Sequence, residues 1–230
     1  MTFPGSIFVV GSGPMIGSHV ARLFATHGFS YVVLFSRSAI NLSRDALFVT
    51  SAAPSRSVKT YAVDVTDHTL FSSVLEQAVL EVGVPEVVIY NAARINYGIV
   101  GQYAPIDIVE DFKVPNLGLY TTASLLLPHL RKLAETHPEA HPALFVTSGA
   151  IIHRPFAPVF SLSMAKAAQA SLTKLLAEEH KDVVYVALVT IGGQVTPGEE
   201  VNNPENIATK FWTLYEQKKG SWDYEMKCGW

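Results

Sequence analysis

Short apolar runs alternate with longer amphipathic segments along the chain. Six runs have the length and apolar content of strands buried on both faces; they cover residues 7–10, 31–35, 58–63, 86–90, 143–146 and 183–189. Between them, apolar residues recur at helical spacing, most clearly over residues 19–27, 70–82 and 161–180. Strands that alternate with helices predict a single-domain α/β protein with one doubly wound parallel sheet, covered by helices on both faces.

Caps and breakers locate the other predicted elements. Asp67 is predicted as the N-cap of the helix over 70–82, in which Leu70, Val74, Leu75 and Val79 are expected to face one way. A short helix is expected within 39–54 and a last helix over 205–217. A long helical region over 107–136 contains Pro115 and Pro128, so we expect it to be kinked or divided. Residues 221–227 alternate like a final edge strand.

A glycine-rich turn joins the first predicted strand to the first predicted helix. It reads Gly11-Ser12-Gly13-Pro14-Met15-Ile16-Gly17, and the next strand ends in Ser36-Arg37. Strand, glycine turn, helix and strand in this order predict the first βαβ unit of a Rossmann-like, nucleotide-binding sheet. A pyrophosphate can bind at a helix N-terminus, and glycines allow it to approach the backbone. The same glycines could instead serve packing alone, and the sequence leaves that alternative open.

Polar clusters follow the ends of the predicted strands. They are Gly11-Ser12-Gly13, Ser36-Arg37, Asp64-Val65, Asn91-Ala92-Ala93, Ser148 and Gly192-Gly193. In an open parallel sheet, ligands bind outside the carboxyl ends of the strands, where the strand order reverses. We therefore expect these clusters to converge on one crevice, although turn residues at strand ends are the simpler alternative.

Composition and charge narrow the possible functions. The apolar fraction of 49% and the charged fraction of 16% are typical of a globular protein, and the net charge of −3 gives no electrostatic reason to expect nucleic acid or a membrane as partner. The only cysteine, Cys228, cannot form an intrachain disulfide, and neither a signal peptide nor a membrane-spanning run is recognised. A cytoplasmic location is therefore expected. The histidines lack metal-ligand spacing, so no metal site is predicted.

These motifs resemble those of the short-chain dehydrogenase/reductase family over essentially the whole chain. Gly11 and Gly17 match the outer glycines of the family's turn. The other matching positions are Asp64, which meets the adenine in the family, Asn91 and Ala92 after strand four, Asn116 within a helix, Ser148 and Lys166. The resemblance implies that Lys166 binds the nicotinamide ribose, that Ser148 holds the substrate oxygen and that Asn116 anchors a water relay.

Three departures from the family's pattern affect the expected chemistry. Leu162 stands where the family has its tyrosine, four residues before the lysine, and cannot donate a proton. Met15 replaces the middle glycine of the turn, and the loop over 192–204 is short for a helical substrate lid. General acid–base catalysis is typically worth ~10²–10⁴-fold, so another group must supply it or it is lost. The loop residues that could replace the tyrosine are Tyr97, Tyr103 and His153.

The residue after the second strand bears on the cofactor. Arg37 lies where an acidic residue would accept the ribose hydroxyls of NAD, and a guanidinium there can pair with a 2′-phosphate, which favours NADP over NAD. The predicted cofactor-binding residues are Gly11, Ser12, Gly13, Ile16, Gly17, Ser36, Arg37, Asp64, Val65, Asn91, Ala92, Ala93, Lys166, Gly193 and Val195. The predicted catalytic residues are Asn116, Ser148 and Lys166.

The main hypothesis is an atypical NADP-binding oxidoreductase that acts on a small carbonyl or alcohol compound. One alternative is a non-redox isomerase, cyclase or dehydratase in which Ser148 and Asn116 donate hydrogen bonds to a developing oxyanion. Another is a non-catalytic pseudoenzyme. The family resemblance also implies a homodimer or homotetramer, formed through the helices over 116–130 and 161–176.

Overall fold

The structure, a computed structural model, describes residues 5–230 and consists of one parallel sheet between two layers of helices. The strands are β1 (Ser6–Val10), β2 (Tyr31–Ser36), β3 (Ser57–Ala62), β4 (Val87–Tyr90), β5 (Ala143–Gly149), β6 (Tyr185–Ile191) and β7 (Glu225–Cys228). The helices are α1 (Gly17–Thr26), α2 (Ala39–Ala52), α3 (His68–Val82), α4 (Pro105–Phe112), α5 (Gly118–Thr136), α6 (Phe160–His180) and α7 (Pro204–Tyr215). Two 3₁₀ turns, Ala150–Ile152 and Ala157–Val159, precede α6.

The strand order is β3-β2-β1-β4-β5-β6-β7, and every neighbouring pair is parallel. Ile7 of β1 is paired with Val32 on one side and Val87 on the other. The order therefore reverses between β1 and β4, which places the crevice of a doubly wound sheet outside the carboxyl ends of these two strands. The predicted fold class is confirmed.

Alternate residues of the central strands form two separate cores. Ile7 and Val9 contribute to a cluster that α1, α2 and α7 cover, whereas Phe8 and Val10 contribute to one that α3, α5 and α6 cover. Because successive strand residues point to opposite faces, a strand buried on both faces must be apolar throughout. This explains the uninterrupted apolar runs in the sequence.

Helix α2 differs from the prediction in its length, and helix α3 differs in the face that it buries. The segment expected to hold a short helix forms the fourteen-residue α2, whose N-terminus is capped by Ser38 Oγ accepting from Asn41 N at 3.3 Å. Asp67 caps α3 as predicted, with Oδ1 accepting from Leu70 N at 3.1 Å. The predicted common face of α3 is wrong at Leu70, which is exposed, while Phe71 is fully buried.

The long helical region is divided at Pro115, as the prolines indicated. A π-helical turn over Lys113–Leu117, which we call the π turn, separates α4 from α5. Pro128 lies inside α5 and does not end it. Within residues 5–230, no helix combines the length and the apolar character needed to cross a membrane.

Candidate functional site

The glycine turn packs closely against the start of the loop after β4. Gly11 has a φ of +89°, and a Cβ at this residue would overlap the backbone nitrogen of Ala92. A Cβ on Gly17 would lie 2.9 Å from Ser12 Cα. Local packing therefore requires glycine at both positions. Gly13 differs, because nothing lies within 4 Å of the position of its missing Cβ, so this part of the turn has an open side.

Hydrogen bonds connect the turn to the ends of two strands. The backbone N–H groups of Gly11 and Ser12 both donate to Phe35 O at 2.9 Å, and Asn91 Nδ2 donates to Gly11 O at 2.8 Å. Asn91 thus has a structural role at the predicted crevice. Ala92, beside it, is buried, and Ala93 is partly buried.

The Ser12 side chain is directed toward α2. Its Oγ donates to Asp45 Oδ2 at 2.8 Å, and both side chains are buried. Ile16 packs against the core that α1 covers, and no side chain caps α1, which begins at Gly17. A small cavity of about 150 Å³ lies next to the turn, lined by Pro14, Ser18, His19, Arg44, Asp45 and Phe48.

The residues predicted to meet the adenosine half of a dinucleotide lie after β2 and β3. Arg37 is exposed and makes no ion pair with any described residue, while Ser36 is partly buried. Asp64 Oδ1 accepts from Thr66 N at 2.9 Å and from Thr66 Oγ1 at 2.8 Å. Val65 is buried in the core beneath.

Ser148 lies near the end of β5, opposite Thr190 of β6. It is 4% exposed, and its Oγ has no hydrogen-bond partner within the described residues. Buried hydroxyl groups are normally hydrogen-bonded, because an unsatisfied one costs free energy. This oxygen therefore has an unused capacity to donate to, or accept from, a ligand.

Lys166 is buried directly beside that strand end. Its Nζ donates to Thr147 O at 2.8 Å and to Gln169 Oε1 at 2.7 Å. Burial lowers the pKa of the Lys166 ammonium group from its usual 10.5 to about 7. Desolvation penalises the charged form, which explains this direction.

The π turn places Asn116 between two helices. Asn116 Nδ2 donates to Phe112 O at 3.1 Å and to Ala165 O at 3.0 Å, and the side chain is 5% exposed. The Tyr90 hydroxyl donates to Val114 O in the same turn. A π-helical turn changes which carbonyl groups the helix itself uses, and here side chains from other elements bind two of them, Val114 O and Pro115 O.

The structure gives each of the three possible proton donors a different environment. Tyr97 is 75% exposed. The Tyr103 hydroxyl donates to the buried carboxylate of Asp111 at 3.0 Å, and desolvation and this carboxylate raise the pKa of Tyr103. His153 Nε2 lies 2.8 Å from Glu225 Oε1. Leu162 itself is buried near the start of α6.

The last predicted cofactor-binding residues lie after β6. Gly193 is exposed, and a Cβ there would lie 3.2 Å from Asn202 Nδ2. Val195 is partly buried against the core that α1 and α7 cover. Within residues 5–230, no three His, Cys, Asp or Glu side chains form a group able to hold a metal ion.

Sequence reasoning missed two residues that organise this region. Asp45 anchors the glycine turn through Ser12, and Gln169 links Lys166 to the π turn, where Gln169 Nε2 donates to Pro115 O at 2.7 Å. Gln169 follows Lys166 by three residues, so the two side chains share a helix face. That spacing was the available signal for Gln169, whereas the partner of Asp45 is distant in the sequence.

The fold, the glycine turn and the switch-point crevice define a doubly wound α/β protein of the Rossmann-like class. Within this class, the sequence pattern described as short chain dehydrogenase matches residues 6–206. The chain belongs to the short-chain dehydrogenase family.

A curated relative and several solved structures are similar to this chain. A short chain dehydrogenase/reductase of Claviceps purpurea (strain 20.1) is 27% identical over 197 residues, which cover 84% of this chain and 63% of that protein. The chain thus spans less than two thirds of that relative's length.

Among solved structures, an alcohol dehydrogenase from the archaeon Thermococcus sibiricus, complexed with 5-hydroxy-NADP, has a TM-score of 0.85 and 19% identity, covering 97% of this chain and 95% of that one. A metagenomic short-chain oxidoreductase in complex with NADP has a TM-score of 0.85 and 20% identity, covering 98% and 96%. At these identities the two structures show a shared fold.

Proposed function

We propose that the protein is an atypical NADP-binding oxidoreductase that acts on a small carbonyl or alcohol compound. The observation that carries the proposal is the buried, unpartnered hydroxyl of Ser148, next to the backbone carbonyl group that holds Lys166. An unused donor at the end of β5, beside the switch-point crevice, fits a substrate oxygen. Membership of the short-chain dehydrogenase family supports redox chemistry at this site.

The crevice also has features that fit a dinucleotide. The open side of Gly13 and the uncapped N-terminus of α1 suit a pyrophosphate. Ser12 does not offer its hydroxyl, because that group binds Asp45. The other predicted residues of the turn would offer backbone groups and allow the cofactor to come close to the backbone. Met15, which is half-buried, would border the phosphates.

Arg37 carries the proposed preference for NADP. Its side chain is exposed and makes no ion pair within the described part of the chain. A 2′-phosphate could therefore bind the guanidinium group without displacing a carboxylate of the protein. The solved structures complexed with NADP and 5-hydroxy-NADP support a cofactor of this type. Asp64, whose carboxylate caps its own turn, would border the adenine.

The proposed chemistry divides between the cofactor and the protein. A bound nicotinamide cofactor would supply or accept the hydride. Ser148 Oγ would donate a hydrogen bond to the substrate oxygen, and Lys166 Nζ would hold a ribose hydroxyl. Asn116 would act mainly by fixing the π turn against α6, since its two N–H donors bind backbone carbonyl groups.

We propose that Leu162 replaces the family's proton-donating tyrosine, so the proton comes from water or a loop residue. Tyr97 is the most accessible of the three candidates, whereas Tyr103 and His153 are engaged by carboxylates. Without a positioned acid, turnover is expected to be slow, by roughly the 10²–10⁴-fold that general acid–base catalysis usually contributes.

Carbonyl reduction by purified variants tests this proposal. With NADPH and a panel of small aldehydes and ketones, we expect slow oxidation of NADPH by the unchanged protein. Ser148→Ala should reduce the rate about 10²-fold or more, as expected for the loss of an oxyanion donor, and Leu162→Tyr should raise it. Ser6→Ala is the matched control, because Ser6 is a buried serine at the opposite end of the sheet.

The alternative of a non-redox enzyme is favoured by one observation, the leucine at position 162. In that case Ser148 would donate to a developing oxyanion without hydride transfer. Asn116, the second donor named for this alternative, would have to release Phe112 O or Ala165 O to take part. Leu162→Tyr would then leave NADPH oxidation undetectable, while Ser148→Ala would still abolish the biological activity. A pseudoenzyme would keep its biological activity in Ser148→Ala and Lys166→Ala.

A further inference from the structure

A buried polar network joins Lys166 directly to β5 and, through Gln169, to the π turn. Lys166 Nζ donates to Gln169 Oε1 at 2.7 Å and to Thr147 O at 2.8 Å. Gln169 Nε2 donates to Pro115 O at 2.7 Å. Gln169 has no exposed surface, and its hydrogen bonds cross from α6 to the π turn. Gln169 therefore connects the lysine to the π turn, and the lysine itself connects this pair to the end of β5.

The bonding of Gln169 is matched to a cation. A buried amide costs free energy unless both its oxygen and its nitrogen are hydrogen-bonded, and both are bonded here. Burial is the one cause that lowers the pKa of Lys166, and no charged side chain of the described residues contributes to that shift. The ammonium group thus depends on neutral oxygens, of which Gln169 Oε1 is the one supplied by a side chain.

We propose that Gln169 is a positioning residue that holds the Lys166 ammonium group at the end of β5, beside Ser148. The inference rests on the proposed function, in which Lys166 holds a ribose hydroxyl of the cofactor. An ammonium group has three N–H donors. Thr147 O and Gln169 Oε1 accept two of them, which leaves the third for the ribose and fixes its direction.

Two substitutions separate positioning from simple packing. Gln169→Glu keeps an oxygen beside Nζ and adds a negative charge, which should raise the protonation midpoint of Lys166 by about one to three pH units. Gln169→Met keeps the length of the side chain and removes the acceptor, which should lower the midpoint. Thr173→Val is the control, because Thr173 is also fully buried on α6 and bonds Gln169 O, not the lysine.

The midpoint is measured on the full chain without cofactor. The protein is labelled with ¹³C,¹⁵N-lysine, the Lys166 signal is assigned with Lys166→Met, and its Cε shift is followed across pH by NMR. We expect a midpoint near 7 in the unchanged protein, opposite shifts in the two Gln169 variants and no shift in Thr173→Val. The same midpoint in Gln169→Glu and the unchanged protein would overturn the proposal, even if Gln169→Met failed to fold.

Titration with NADPH separates this inference from the function on which it rests. If both hold, the unchanged protein and Thr173→Val bind NADPH alike, and Gln169→Met binds about tenfold or more weakly, as expected when a bond to a charged group is misdirected. If the unchanged protein does not bind NADPH while the midpoints still move, the proposed function fails and the positioning of Lys166 stands. Unchanged midpoints with tight NADPH binding would reject only the role of Gln169.

Discussion

At the scale of single residues, the candidate site contains a buried lysine without an anionic partner among the described residues. The hydrogen-bond partners of Lys166 among the described residues are both neutral oxygens, and burial lowers its pKa to about 7. A buried ammonium group of this kind lowers the free energy of unfolding at pH values at which it is protonated in the folded state. Burial also fits a ligand-binding role for Lys166, because a hydrogen bond from Nζ to a ligand's hydroxyl group would replace one that Nζ has lost to water.

Lys166 predicts a specific dependence of stability on pH. Its folded-state pKa lies below the unfolded value, so below about pH 7 both states carry the proton and the cost of burial is fully present. Between about pH 7 and pH 10.5 the unfolded state binds more protons, and the free energy of unfolding rises with pH by at most about 1.4 kcal/mol per unit from this group. Urea unfolding at about pH 7 and pH 9 measures this rise.

Lys166→Met should lose this component of the rise. Lys174→Met, which removes an exposed lysine of the same helix, should keep it. An identical change in unfolding free energy with pH for the unchanged protein and Lys166→Met would contradict the assigned pKa direction. Comparing changes with pH, not absolute stabilities, removes the effect of the two bonds that Lys166→Met also loses.

At the scale of elements, the π turn organises the side of the crevice that carries Lys166. It lies between α4 and α5, and side chains from β4 and α6 bind its carbonyl groups. Asn116, within it, bonds back to α4 and across to α6. The turn therefore connects α6, and with it Lys166, to the sheet through hydrogen bonds.

Asn116→Ala tests this structural role. We expect a loss of about 1–3 kcal/mol in unfolding free energy, because two backbone carbonyl groups lose their donor in a buried region. Asn206→Ala removes the same side chain, also bonded to two backbone carbonyl groups, from an exposed position on α7 and should cost no more than about 0.5 kcal/mol. Equal losses in urea unfolding would show that Asn116 contributes no more than a surface residue.

The sequence predicted the elements whose causes are local. Strands buried on both faces appeared as continuous apolar runs, and Asp67 was recognisable as a cap. The division at Pro115 was predictable, but its π-helical form was not, because it depends on Tyr90 and Gln169 from distant parts of the chain. The exposed position of Leu70 depends likewise on how α3 packs, since Leu70 and Phe71 are equally apolar neighbours.

Within the site, the glycine turn and the polar ends of the strands were predictable as motifs. The Ser12–Asp45 and Lys166–Gln169 bonds were not, because a hydrogen-bond partner is decided by tertiary packing. The assignments of Asn116, Ser148 and Lys166 to catalysis, and of the turn and strand-end residues to a cofactor, stay predictions.

At the scale of the whole molecule, the surface of the helices bears on assembly. Tyr120 of α5 and Met164 of α6 are 60% and 57% exposed. We propose that the exposed apolar residues of α5 and α6 form the interface of a homodimer or homotetramer, since exposed apolar groups favour association.

Light scattering on the purified protein tests this assembly. We expect a mass two or four times the 25.1 kDa of the chain. Tyr120→Glu combined with Met164→Glu should reduce it toward the monomer, because charges in an apolar interface oppose association. Leu47→Glu, at an exposed leucine of α2 on the other face of the sheet, is the control. A monomer at all concentrations would contradict the proposal.

Calorimetric titration of the purified protein with NADPH and with NADH shows whether the crevice binds a nicotinamide dinucleotide. We expect NADPH to bind and NADH to bind more weakly. Arg37→Ser should remove most of this difference by weakening the binding of NADPH about 10- to 100-fold, the value of a charge-assisted bond to phosphate. If neither nucleotide binds at millimolar concentration, the proposed dinucleotide site is wrong. If the unchanged protein and Arg37→Ser bind NADPH equally well, the proposed preference for NADP through Arg37 is wrong.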